Sequence, residues 1–229
     1  MKLNFSIDIE RCLKEIEDFD EIKKTYCNNP YYFFNHYRNL KNKSSKEIID
    51  FFKNNREEIE KELIRRKNLI EKNWNKINNI FFSEIERITE SKWKYKSYRC
   101  HVCCVWAGRY DNYKNEITVF AFFNKPDYLA TIAEELLHLH FWEITRKLKI
   151  RIEEENLKDF KNNFYWQLSE CIPCLVFSHS DIKLKLKFGK YPDWKEVRKV
   201  FKKIRPLWDN KRNFTDFLKN AFNFISLQK

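Results

Sequence analysis

Between Ala130 and Glu143 the chain reads ATIAEELLHLHFWE. Glu134 and His138 stand four residues apart. On a helix, positions i and i+4 share a face, so both side chains can reach one object. Glu135 lies about 100° further around and still reaches that object's edge. This is the spacing of H-E-x-x-H, in which two ligands hold zinc and the intervening Glu activates water. Here Glu134 stands where the first histidine would be. Thr131, Ile132, Ala133, Leu136 and Leu137 are small or apolar, as a buried helix carrying chemistry needs. A carboxylate oxygen is an acceptable zinc ligand at about 2.0–2.2 Å, but two carboxylates leave the ion less Lewis-acidic than two imidazoles do. The harder ligand set also suits another divalent ion, such as manganese or iron. The plainer reading is a solvated i,i+4 Glu–His pair that contributes little.

Other residues capable of chemistry are less well placed. His140 follows His138 by two positions, about 200° around a helix, so a core role is expected for it. His101 and His179 could donate to a developing oxyanion, but a structural role is the simpler expectation for both. Glu135-Leu136-Leu137-His138 is also an E-x-x-H, the ligand pair of di-iron bundles, which need a second copy. The residues three before His36, His101, His140 and His179 are Phe33, Tyr98, Leu137 and Val176, so no second copy exists. Cys100-x-x-Cys103 and Cys171-x-x-Cys174 could form a Cys₄ zinc site. Against that, a strand points Cys100 and Cys103 to opposite faces, and free cysteine commonly packs as a small hydrophobe.

The surrounding pattern supplies the elements. Leu3–Glu10 alternates apolar and polar residues, as a first strand or the lead-in to a helix would. Leu13, Ile16, Phe19 and Ile22 keep helical spacing over Arg11–Cys27, up to the break at Asn28-Asn29-Pro30. Ser44 and Glu47 form a capping box ahead of a long helix towards Thr89, with a break near Asn73. Tyr95–Trp106 and Glu116–Phe123 read as strands, with Ala107–Asn115 as a turn between them. Asn124-Lys125-Pro126-Asp127 opens the helix that carries Glu134 and runs to about Lys149, Pro126 being allowed in its first turn. A further helix runs from about Leu157 to Ile172, where Pro173 kinks or ends it. Two amphipathic helices, Pro192–Ile204 and Asn213–Ile225, flank Pro206. The order predicts an α+β domain over residues 1–229. It has a helical part (1–92), strands plus motif helices (93–180) and a basic helical subdomain (181–229).

With these elements in place, the chain resembles the zincin-like metallopeptidases of the gluzincin type, including small prokaryotic and phage members, with EExxH in place of HExxH. The resemblance covers the strand Glu116–Phe123, the motif helix, and the helix bearing Leu168-Ser169-Glu170-Cys171, where such proteins present a third ligand. Tyr191–Phe222 resembles their helical tail only loosely. It implies a small antiparallel or mixed sheet packed on an active-site helix, and zinc held by Glu134, His138 and Glu170. It further implies Glu135 as general base, and a peptide or protein substrate. Glu170 follows His138 by 32 residues, within the spread of that group. In such peptidases the substrate adds along the edge strand before the helix, which would be Glu116–Phe123; the plainer reading of that segment, apolar on both faces, is a buried central strand. The same resemblance leaves room for a member that has lost catalysis and acts by binding.

Composition narrows the rest. Only two of the 229 residues are glycine, Gly108 and Gly189, too few for a Rossmann fingerprint or a Walker loop. The net charge of +12 is uneven: residues 101–180 carry 9 basic and 11 acidic side chains, whereas 181–229 carry 14 and 5. Lys outnumbers Arg 32 to 13, the habit of an AT-rich genome, so the charge is no strong sign of nucleic-acid binding. The basic segment, with Lys183, Lys185, Lys187, Lys190, Lys195, Lys199, Lys202 and Lys203 beside Tyr191, Trp194 and Trp208, is where nucleic acid would bind. Met1–Glu10 lacks the continuous apolar core of a signal peptide, and no stretch suits a membrane span. Seven cysteines without a leader point to free thiols in a reducing cytoplasm.

Overall fold

In the computed structural model, the described residues are 1–17, 29–105, 107–111, 113–150, 163–178, 186 and 194–226. Alternation in the first residues resolves as strand β1 (Lys2–Ser6), and helix α1 (Ile9–Glu17) follows after two residues. Helix α2 (Asn29–His36) and a 3₁₀ turn (Arg38–Leu40) lead to α3 (Ser45–Asn54), α4 (Arg56–Asn75) and α5 (Asn78–Thr89). The predicted capping box is present: the Ser44 hydroxyl accepts from the Glu47 N–H, and the Glu47 carboxylate accepts from the Ser44 N–H. The long helix expected beyond it breaks at Asn55, as well as near Asn73, where α4 gives way to α5.

Strands β2 (Ser97–Cys103), β3 (Gly108–Asp111) and β4 (Glu116–Phe120) complete a four-stranded mixed sheet of order β1-β2-β4-β3. β1, β2 and β4 are parallel and β3 runs antiparallel to β4. The fold is therefore α+β. Two strand expectations need correction. Gly108–Asp111 is an outer strand rather than part of a turn, because β4 offers it a ladder. Glu116–Phe120 is not the edge: it lies between β2 and β3, and all five of its residues are buried. Its apolar character on both faces belongs to an inner strand.

Helices α6 (Lys125–Lys147), α7 (Phe164–Ser178), α8 (Lys195–Asp209) and α9 (Phe214–Ser226) follow. Pro173 lies inside α7, not at its end, and Pro206 lies inside α8. Eleven residues of α7 are buried, so packing along the helix outweighs the one backbone hydrogen bond that Pro173 cannot make. The expected helix ends at 18–28, 157–162 and 192–193, together with His179, Lys183, Lys185, Lys187, Lys190 and Tyr191, lie outside the described residues.

The chain forms two compact units. One comprises Lys2–Asn78 and Ser97–Glu135 and contains the whole sheet. Its core includes Phe33, Phe52, Leu63, Trp74, Cys100 and Val119, with the Trp74 indole N–H donating to Asn78 Oδ1 at 3.0 Å. The other comprises Asn79–Lys96 and Leu136–Lys229 and is helical apart from its connections. It is centred on Phe81, Leu168, Leu175, Phe201 and Trp208. The boundary falls inside α6, which is unbroken from Lys125 to Lys147. Among the described residues no helix is long and apolar enough to cross a membrane.

Candidate metal centre

The start of α6 is fixed by contacts remote in sequence. Arg66 on α4 donates from Nε to the Ala121 carbonyl at 2.7 Å and from an Nη to the Phe123 carbonyl at 2.8 Å. The Asn73 amide donates to the Tyr128 hydroxyl at 2.8 Å inside the same unit. The planar fork of an arginine suits two carbonyls in a way that a lysine cannot reproduce. Neither tie was visible in the sequence, because the carbonyls carry no residue signature.

α7 is held at its N-terminus by Asn163, whose Oδ1 accepts from the Tyr165 and Trp166 N–H groups at 3.0 Å each. This is the local reason the helix begins where it does. Asn163 is itself buried, 3% exposed. Asn163→Ala is expected to cost about 1–2 kcal/mol, read as a lower urea midpoint at unchanged slope.

α6 and α7 bring together the residues of interest. Glu134 and His138 occupy one face of α6, as the spacing required. Glu170 on α7 places Oε1 3.5 Å from His138 Nε2. One ligand atom from each of Glu134, His138 and Glu170 lies within 4.8 Å of the others, a group that could hold a metal ion. It is the one such group among the described residues.

No protein-family model, curated protein or solved structure matches this chain.

The chemistry of the site rests on its own side chains, and they fit a divalent cation. Burial pushes the His138 ring down to about 3, so at neutral pH it is an uncharged imidazole, the form that ligates metals. At 3.5 Å, the His138–Glu170 approach is longer than an N–H···O hydrogen bond. Ligands held tetrahedrally at 2.0–2.2 Å stand about 3.4 Å apart, which matches it. The wider separations in the group are within the swing of a Glu side chain. Two carboxylates facing a neutral ring also form an arrangement that a cation completes electrostatically.

The other histidines are accounted for differently. His140 is 1% exposed, with Nε2 2.9 Å from the Thr89 hydroxyl and its ring stacked on Trp93 at 4.2 Å. It belongs to the core, as its position two residues past His138 implied. His101 has Nδ1 2.8 Å from the Ser6 hydroxyl and Nε2 3.3 Å from Glu116 Oε2. Arg11 and Arg99 also meet Glu116, so His101 sits in a polar cluster between β1, β2, β4 and α1. Cys100, Cys103, Cys171 and Cys174 form no metal group among the described residues. All four are buried, as are Cys12 and Cys104. Burial pushes the Cys100 and Cys171 thiols up, away from the thiolate form that metals bind. They behave as the small hydrophobes that the alternative reading expected.

Glu135, the last residue of the sheet unit, sets its carboxylate against β3. If Gly108 on β3 carried a Cβ, that atom would stand 2.5 Å from Glu135 Oε1 and 2.8 Å from Thr131 Cγ2. Gly108 is not in the left-handed region, so it is close approach that requires glycine here. Its position as one of only two glycines was the sequence signal that could have marked it.

Proposed function

We propose that the protein is a metal-dependent hydrolase of peptide bonds on a zincin-like scaffold, with zinc as the leading candidate ion. The observation that carries this reading is the convergence of Glu134, His138 and Glu170 from two helices. In this reading those three side chains hold the ion, which supplies Lewis acidity to polarise a carbonyl and to acidify water. His138 offers Nε2 as a neutral donor atom, and the two carboxylates balance the ion's charge. Glu135 accepts the proton that the attacking water gives up and returns it to the leaving amine. An extended peptide would add along β3, the outer strand, rather than along β4 as first expected. Strand addition supplies main-chain hydrogen bonds without regard to side chain.

The test is elemental analysis of protein purified without chelator, with cleavage of an unfolded protein substrate followed in parallel. About one divalent ion per chain, and cleavage abolished by chelator, are expected. Metal-free protein whose stability chelator leaves unchanged would overturn the reading.

A second reading has one observation in its favour. Lys195, Arg198, Lys199, Lys202 and Lys203 are all exposed on α8, beside the exposed indole of Trp194. In that reading the scaffold has lost catalysis and the basic segment binds nucleic acid. Its signature is single-strand affinity that falls steeply with salt, without cleavage of any peptide.

A further inference from the structure

We infer that Gly108 is a positioning residue for Glu135: the bare backbone of β3 forms the seat against which this carboxylate rests. The inference builds on Glu135 being the proton acceptor of the proposed hydrolase, and it adds what holds that acceptor in place. Three observations carry it. An added Cβ would come within 2.5 Å of Glu135 Oε1 and 3.3 Å of its Cδ, so any side chain at 108 displaces the carboxylate. Thr131 cannot absorb the intrusion by turning away. Its hydroxyl donates to the Asp127 carbonyl at 2.9 Å, and the β-branched side chain is stiff at χ1. The strand itself cannot yield easily, because Gly108 pairs with Val119 and Arg109 with Thr118 on an inner strand that is buried throughout. The flexible arm of Glu135, at 2.5 Å, is therefore what moves most, while the Thr131 methyl at 2.8 Å keeps a smaller clash of its own.

A proton acceptor displaced by an ångström loses most of its effect, since general-base catalysis needs hydrogen-bond reach of about 2.6–3.2 Å. The three atoms nearest the added Cβ belong to Glu135 and Thr131, neither of which is among the three proposed ligands. A side chain at 108 should accordingly spare metal uptake and damage turnover. An extended substrate lying along β3 would pass the same glycine, which places the seat of the base and the track of the substrate on one strand.

The experiment is a double-mutant cycle on the full chain. Gly108→Ala is made alone, with Glu135→Asp, and with Thr131→Ser. Thermal unfolding without metal, cobalt(II) uptake, and peptide turnover are then measured. Gly108→Ala is expected to lower the unfolding midpoint, and the shorter Glu135→Asp arm to recover the larger part of that loss, with Thr131→Ser recovering a smaller part. Cobalt uptake should stay within about twofold of the parent, and kcat should fall at least tenfold with KM nearly unchanged. Equal loss in the Glu135→Asp background, with recovery by Thr131→Ser instead, would overturn the inference. So would recovery by neither. Failure of the parent protein to take up metal or cleave peptide would overturn the hydrolase itself. That result is read on the parent alone, and the unfolding cycle still decides whether Gly108 seats Glu135.

Discussion

His138→Ala is expected to empty the metal site. The ring would be the one nitrogen ligand of the proposed site, and its loss leaves two carboxylates that hold a borderline-soft ion poorly. Protein purified without chelator should go from near-stoichiometric metal to trace levels. Alanine also leaves a hole where a buried ring stood, so a lower midpoint alone would prove nothing. The informative quantity is the response to chelator. A ligand present at a hundredfold over its dissociation constant stabilises by about 2.7 kcal/mol, and chelator removes that term. The parent midpoint should therefore drop on chelation and that of His138→Ala should not. Conversely, Glu134→His restores the usual first ligand and is expected to raise zinc affinity. Equal metal content in parent and His138→Ala, or no gain from Glu134→His, would show that these side chains do not ligate.

Metal-free protein is expected to lose stability steeply below about pH 6.5. Burial pushes both His138 and His140 down to about 3, with Lys147 adding to the shift at His140. Both therefore stay neutral in the folded chain while the unfolded chain takes up protons. The stabilisation is complete above pH 6.5, is lost as pH falls, and is exhausted near pH 3. Each such group contributes a slope of about 1.4 kcal/mol per pH unit. Two of them over two units amount to roughly 5 kcal/mol, comparable with the whole stability of many domains. Glu15 works in the opposite sense: burial raises its carboxyl in spite of Arg11 beside it. Urea unfolding at a series of pH values, in chelator, measures the slope. His140→Gln should flatten it by about half while keeping a polar group near Thr89. An unchanged slope would mean that the ring is not held neutral.

The features that were legible in the sequence are the local ones. Ser44 and Glu47 are three residues apart and find each other wherever the chain goes. Glu134 and His138 share a face because the helix period makes them do so. The α+β composition followed from strand-like segments set among helices. Features set by distant partners were not legible. Ala107–Asn115 has little apolar content, and four of its residues form a strand only because β4 provides a ladder. Pro173 reads as a kink or an end of a helix, and a helix buried along its length carries it inside. The break at Asn55 carries no proline or glycine to announce it. Arg66 reaches carbonyls more than fifty residues away, and carbonyls are anonymous in a sequence. The approach of Glu170 to His138 was expected only from the resemblance. No spacing rule connects residues 32 positions apart on different helices.

The burial of the cysteines has a practical consequence for how this protein opens. Cys12, Cys100, Cys103, Cys104, Cys171 and Cys174 are all 5% exposed or less. An inaccessible sulfur does not react with an alkylating reagent until its surroundings come apart. Each sulfur is thus a built-in clock for the opening of the segment around it. Four of them time the unit that holds the sheet and two time the helical unit. Mass mapping of the alkylated positions, sampled over hours under native conditions, would report which half of the molecule breathes first and whether added zinc slows it.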